Sequence, residues 1–216
     1  MNAEDVARYL HDHPEFFDQY AEMLTLVTLP DPHSGRAISI TEKQLFNLRD
    51  KVRTLEAKLV ELIGFGEEND LISDKVHGLA VALIAAADQA SVLRALYSHL
   101  GGAFNVPHVG LRLWGAGAGS SHEYDAVDTS LMDFAAGLAH PWCGPVAGQP
   151  ALEWFAGANE RLGSMAQVPL RPAGGPCIGL LAMASEDPLR FYPELGTLYL
   201  ERIGEMATAA LLRVAH

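Results

Sequence analysis

The sequence predicts an α+β fold, with a central antiparallel sheet flanked by helices and an N-terminal helical, coiled-coil extension. Three observations predict it. Leu45, Leu48, Val52, Leu55, Leu59 and Leu62 recur at 3-4-3-4-3 spacing, the a/d seam of a heptad helix. Three short apolar runs, 109–114, 164–170 and 177–184, read as strands bounded by turn residues. A last periodic run, from about Pro193 to Val214, reads as a closing helix. All four lysines (Lys43, Lys51, Lys58, Lys75) lie in the first 75 residues, so a boundary is expected near 70–75. The division expected is 1–70 for the N-terminal helices, with a dimerisation segment at about 41–63, and 71–216 for the sheet domain.

In chain order, Asn2 suits the cap of a short helix carrying Val6, Tyr9 and Leu10 on one side. Pro14 suits the first turn of a second helix, running to about Leu26. His11 and His13, at the junction, read as surface or capping groups. Leu29 to Gly35 reads as a loop. Thr41 and Gln44 fit a capping box opening the long helix. In the heptad register Lys51 is a g position and Glu56 the next e position, opposite charges that would face each other in a parallel dimer. The seam is expected to stop at Gly64-Phe65-Gly66. A packing of this helix on its own chain is the alternative to a dimer.

Further helices are expected at about 67–87, 91–104 and 128–138. On the strand at 109–114, Gly110, Arg112 and Trp114 share one face, and Val109, Leu111 and Leu113 the other. The turn Arg171 to Pro176 makes a hairpin of the runs around it. Ser185 to Pro188 reads as a corner, with Asp187 and Arg190 expected to pair.

Composition excludes several classes. The chain has 216 residues, with 27 acidic and 15 basic side chains and a formal net charge of -12. That argues against nucleic acid and against an anionic membrane surface as partners. Two cysteines, Cys143 and Cys177, support neither a disulfide scaffold nor a four-cysteine zinc module. The acidic start lacks a signal-peptide core, and the longest apolar run, 79–87, is too short to span a bilayer, so a cytoplasmic protein with reduced cysteines is expected.

No motif carries chemistry by itself. Gly115 to Ser120 mimics a dinucleotide loop but is followed by polar residues instead of a helix, and reads as a connection. His140 and Cys143 have H-x-x-C spacing, with His108 and His122 as the other conceivable ligands, but a structural zinc needs four ligands, and no metal site is expected. Cys143 reads as a small buried hydrophobe at a tight turn. No nucleophile–base pair is spaced for catalysis, so no catalytic residue is assigned and a non-enzymatic protein is expected. Arg112 beside Trp114, with Trp142, Cys143, Trp154 and Phe155, is the candidate pocket for an anionic or aromatic small molecule. Solvated or core roles for the same residues are the alternative.

The segment Gly175-Pro-Cys-Ile-Gly-Leu-Leu-Ala-Met-Ala-Ser-Glu-Asp-Pro-Leu-Arg-Phe191, followed by a long helix, resembles the end of a GAF domain, and Ser164 to Leu170 is similar to that family's strand ending in Pro-Leu. Over nearly the whole chain, Tyr9 to Phe17, Ile40 to Gln44, Trp142 to Pro145 and Gly196 to Leu200 resemble the bacterial domain-of-unknown-function family 484, GAF-like proteins with an N-terminal helical extension. Departures are Trp142 where tyrosine is expected, Ala184 where glycine is expected, and Asp31-Pro32 inserted before His33. The resemblance implies a GAF-like sheet, homodimerisation and a sensory or regulatory role, with an unidentified small molecule or a separate protein partner as its target. No cofactor is named by it. No output segment such as a cyclase, kinase or helix-turn-helix is expected. A protein-interaction scaffold without a ligand is the first alternative and an enzyme of unknown class the second.

Overall fold

The computed structural model describes residues 2–26, 28–30, 37–115 and 121–215. The chain divides into two compact units, Met1–Glu67 and Glu68–His216.

The first unit begins with α1 (Ala3–Asp12), capped as the sequence implies. The Asn2 side chain accepts from the Asp5 N–H (2.8 Å), and Asp5 returns a bond to the Asn2 N–H (2.9 Å). The single helix expected at 14–26 is two: α2 (Glu15–Gln19) and α3 (Ala21–Leu26), parted at Tyr20, whose backbone leaves the helical region. Leu29 and Pro30 are not loop. They belong to β1 (Thr28–Pro30), which pairs antiparallel with β2 (Ala37–Ser39). The remainder of that expected loop lies outside the described residues, as does the side chain of Thr41 in the expected capping box.

α4 (Ile40–Ala85) is one helix of 46 residues and corrects the expected stop at Gly64–Gly66. A glycine inside a helix costs about 1 kcal/mol relative to alanine, and a helix already nucleated on both sides absorbs it. No proline interrupts the run. Among the described side chains of Asn2–Glu67 none is buried.

The second unit is a four-stranded antiparallel sheet in the order β3 (His108–Leu113), β6 (Gly179–Ser185), β5 (Ser164–Leu170), β4 (Trp142–Pro145). This is the α+β class expected, with helices on both faces. The hairpin of β5 and β6 pairs Leu170 with Gly179. Its turn closes with a bond from the Gly175 N–H to the Pro172 carbonyl (2.9 Å), and Gly174 supplies the positive φ (70°) at the third position.

One sheet face carries Leu111, Leu113, Val168, Leu181 and Met183. It packs on Val76, Leu79 and Leu83 of α4, on α5 (Gln89–Ser98) and on α7 (Leu198–Val214). The opposite face carries Met165, Leu180 and Ala182. It packs on Leu131 and Ala135 of α6 (Thr129–Gly137) and on Ala151 and Phe155 of the short 3-10 segment Pro150–Phe155.

Two boundaries are corrected. α7 starts at Leu198; Thr197, at the cap position, makes no side-chain bond to the first-turn N–H groups and instead donates its hydroxyl to Glu201 Oε1 (3.0 Å). Leu198 is exposed. The helix expected at 91–104 is α5 followed by a π-turn, His99–Ala103, in which the Phe104 N–H reaches the His99 carbonyl (2.9 Å). The Asp187–Arg190 pair does not form. Asp187 Oδ1 accepts from the Leu189 N–H (2.9 Å), and Arg190 Nη2 donates to the Phe104 carbonyl (2.8 Å).

Candidate functional site

β3 alternates as the sequence dictates, and its second face positions Gly110, Arg112 and, just beyond the strand, Trp114. Cross-strand pairing extends the Gly110 row through Ala182 and Gln167 to Trp142, so one line of side chains crosses the sheet. Gly110 is open for a reason. A Cβ there would lie 3.1 Å from Trp154 Cε3 and 3.3 Å from Phe155 Cζ, so those two rings occupy the space above the strand.

The six pocket residues inferred from sequence do not meet. Arg112, Trp154 and Phe155 do gather. The Arg112 guanidinium sits 5.2 Å from the Trp154 ring centre, and its Nη1 donates to the Leu111 carbonyl (2.9 Å). Trp114 lies past the end of β3, where its Nε1 donates to the Cys177 carbonyl (2.8 Å). Trp142 is on the outer strand β4, at the far side of the sheet, and its indole covers Gly144, where a Cβ would fall 2.7 Å from Cζ2.

Cys143 faces the other way, into the cluster beneath α4, α5 and α7. It is buried as expected, but in a strand instead of a tight turn. β4 is four residues long, too short for its alternation to outweigh the turn signals Gly144-Pro145. Burial pushes its thiol up to about 11, which leaves it protonated and inert.

Arg112 opens onto a cleft of about 410 Å³ shared with Asp125, Asp128, Glu153, Trp154 and Leu131. Three carboxylates against one guanidinium disfavour the anion inferred from Arg112 alone. Below this cleft the face is closed by the protein's own side chains. Leu131, Ala135, Ala151, Phe155 and Leu162 pack directly on Met165, Leu180 and Ala182. Gln167 is the polar group in this packing. Its Nε2 donates to Gln149 Oε1 (2.7 Å), and its own Oε1 is buried without a partner.

A second polar group escaped the sequence reading. Glu123 is buried, accepts from the Tyr97 hydroxyl (2.9 Å), and lies 3.1 Å from His122 Nε2. Burial by itself would raise its carboxyl. Hydrogen bonds from Ser121, its own backbone and Tyr97, with the His122 charge, outweigh that and hold it below the ordinary value. Burial and the Glu123 partner together raise the Tyr97 phenol well above its usual range. No spacing or motif marks Glu123 in the sequence.

His140 Nδ1 turns to Glu201 Oε1 (3.0 Å), away from Cys143. Among the described residues, no three His, Cys, Asp or Glu side chains gather to hold a metal ion, and no helix is long and apolar enough to cross a membrane. Cys143 and Cys177 are free thiols. The dinucleotide-like loop lies, from residue 116 on, outside the described residues.

A family model described as "Protein of unknown function, DUF484" matches residues 1–215. A curated relative, the uncharacterised protein YigA of Salmonella typhimurium, is 26% identical over 216 residues, covering 96% of this chain and 90% of that protein. Among solved structures, the A. aeolicus nlh2 GAF domain in an inactive state is 17% identical, with a TM-score of 0.46, covering 66% of this chain and 96% of that one. The chain belongs to the DUF484 family.

Proposed function

For this member of the DUF484 family, we propose a non-enzymatic regulatory module of GAF-like kind that works as a homodimer paired along α4. One observation carries the reading. All six seam side chains, Leu45, Leu48, Val52, Leu55, Leu59 and Leu62, are exposed, at 44% to 64%. A regular a/d stripe left in water is costly, and burial returns about 1.5–3 kcal/mol for each such side chain. This speaks against packing of the stripe on its own chain. The opposite charges at Lys51 and Glu56 favour a second copy in parallel register. The same helix ends in the core of the second unit through Val76, Leu79 and Leu83. A change in pairing and a change in that core therefore share one element. Two free thiols fit a reducing, cytoplasmic setting.

Sedimentation equilibrium tests the reading. The intact protein sediments as a dimer at micromolar concentration. Leu55→Glu with Leu59→Glu weakens association by about a hundredfold or more while leaving the second unit folded. A monomeric wild-type protein at that concentration overturns it.

The packed sheet face favours a second reading, a protein-interaction scaffold with no small molecule on that face. Native mass spectrometry separates the two. A co-purified compound supports a sensor, and a clean protein mass supports the scaffold.

A further inference from the structure

The other face of the second unit holds a different opening. A groove of about 310 Å³ lies among α4, the π-turn and α7. Its walls are apolar: Ile72, Leu100, Phe104, Met183, Leu200 and Ile203. Its charged lining residues are Lys75 and Arg190, and no carboxylate lines it. In a chain of net charge -12, a lining with two cations and no acid is against the trend. Lys75 is exposed, and among the described residues no acidic side chain pairs with either cation.

The wall nearest Arg190 is built in an unusual backbone. The π-turn His99–Ala103 supplies Leu100 and leads into Phe104. Asn105 follows with φ 54°, a left-handed conformation rare outside glycine. The Val106 N–H then closes onto the Leu100 carbonyl (2.9 Å). Arg190 Nη2 ties the Phe104 carbonyl at 2.8 Å, so the guanidinium is held at the groove, with donors remaining for a ligand. Single π-turns and left-handed non-glycine residues concentrate at functional sites.

We propose that this groove binds an amphipathic organic anion, a fatty-acid-like carboxylate whose chain lies along the half-buried Ile72, Phe104, Leu195 and Leu200, over a floor of Leu100, Met183 and Ile203, and whose head group meets Lys75 and Arg190. An apolar wall selects the chain, and two cations without an acid select the charge. The inference deepens the regulatory reading by giving it a ligand class. Its binding test is nonetheless independent of dimerisation.

Isothermal titration of the full chain with decanoate, below its micellar concentration, tests the proposal against decanol and decyltrimethylammonium. The expected result is one saturable decanoate site per chain, with decanol weaker and the cation weaker still. Lys75→Glu, at an exposed position, weakens decanoate by about fivefold or more and leaves decanol unchanged. Gly196 lines the groove at an exposed position where a Cβ meets nothing within 4 Å, so Gly196→Phe is tolerated by the fold and, by crowding the rim, weakens both. Equal binding of decanoate and decanol, an unaffected Lys75→Glu, or no binding at all overturns the proposal. So does a Gly196→Phe variant whose only change is in oligomeric state, because the groove then serves a second copy. Sedimentation of the same samples reports the dimer separately, so a failed titration leaves the paired-helix reading standing.

Discussion

At the scale of single residues, burial sets the chemistry. Glu123 is a buried carboxylate held ionised by its hydrogen bonds, with a folded-state value below the ordinary 4.5. It therefore adds stability that is fully present above that ordinary value and is lost as pH falls through the lower folded one. Urea midpoints measured across the acid range should fall more steeply for the wild type than for Glu123→Gln. The variant should also be less stable at neutral pH by about 1–3 kcal/mol, since it removes the charge that the Tyr97 hydroxyl meets. Cys143 has the opposite character, its thiol raised to about 11 by burial. In native protein at mildly alkaline pH, iodoacetamide should leave Cys143 unmodified, as read by peptide mass mapping, and should label it after unfolding. The faces of β3 were legible in the sequence, because Val109, Leu111 and Leu113 alternate with Gly110 and Arg112. Glu123 was not legible, since its partners Tyr97 and His122 come together only in the folded chain. The pocket residues failed for a related reason. Aromatic type says nothing of which strand lies beside which, and the order β3-β6-β5-β4 sets Trp142 far from Arg112.

At the scale of elements, α4 shows how cooperativity overrides local propensity. Gly64 and Gly66 were read as a stop, but the helix passes through both. A Cβ at either would meet nothing within 4 Å, so neither glycine is required for packing. Gly64→Ala with Gly66→Ala should raise stability by about 1–2 kcal/mol in total, seen as greater helicity on heating by circular dichroism. Pro193 misled in the other direction. It suits the first turn of a helix, yet α7 starts only at Leu198. The β5–β6 hairpin was legible because turn chemistry and apolar runs agree. Gln167 is the polar residue within an apolar strand, and no local pattern marks its role. Its meaning needed Gln149, 18 residues away.

At the scale of the whole molecule, burial is divided unequally between the two units. Among the described residues the first unit has no buried side chain, whereas every residue of β6 is buried. Hydrogen exchange should therefore be slowest in β5 and β6, with protection approaching the global unfolding free energy. Amides of α1 and α2 should exchange orders of magnitude faster. The compact units Met1–Glu67 and Glu68–His216 meet a few residues before the boundary that lysine placement led one to expect at 70–75. The ending of one helix inside the second core was not legible, because two glycines lower local helix propensity in the middle of a run that is continuous in the fold.

The short β4 strand has one more consequence. It bounds the sheet with four residues and finishes in Pro145, which has no N–H to offer an incoming chain. A neighbouring molecule trying to prolong the ladder on that side would find few donors and a ring in its way. The indole of Trp142 adds bulk at the same border. On that border, continuation of the ladder into an open-ended stack of sheets is disfavoured.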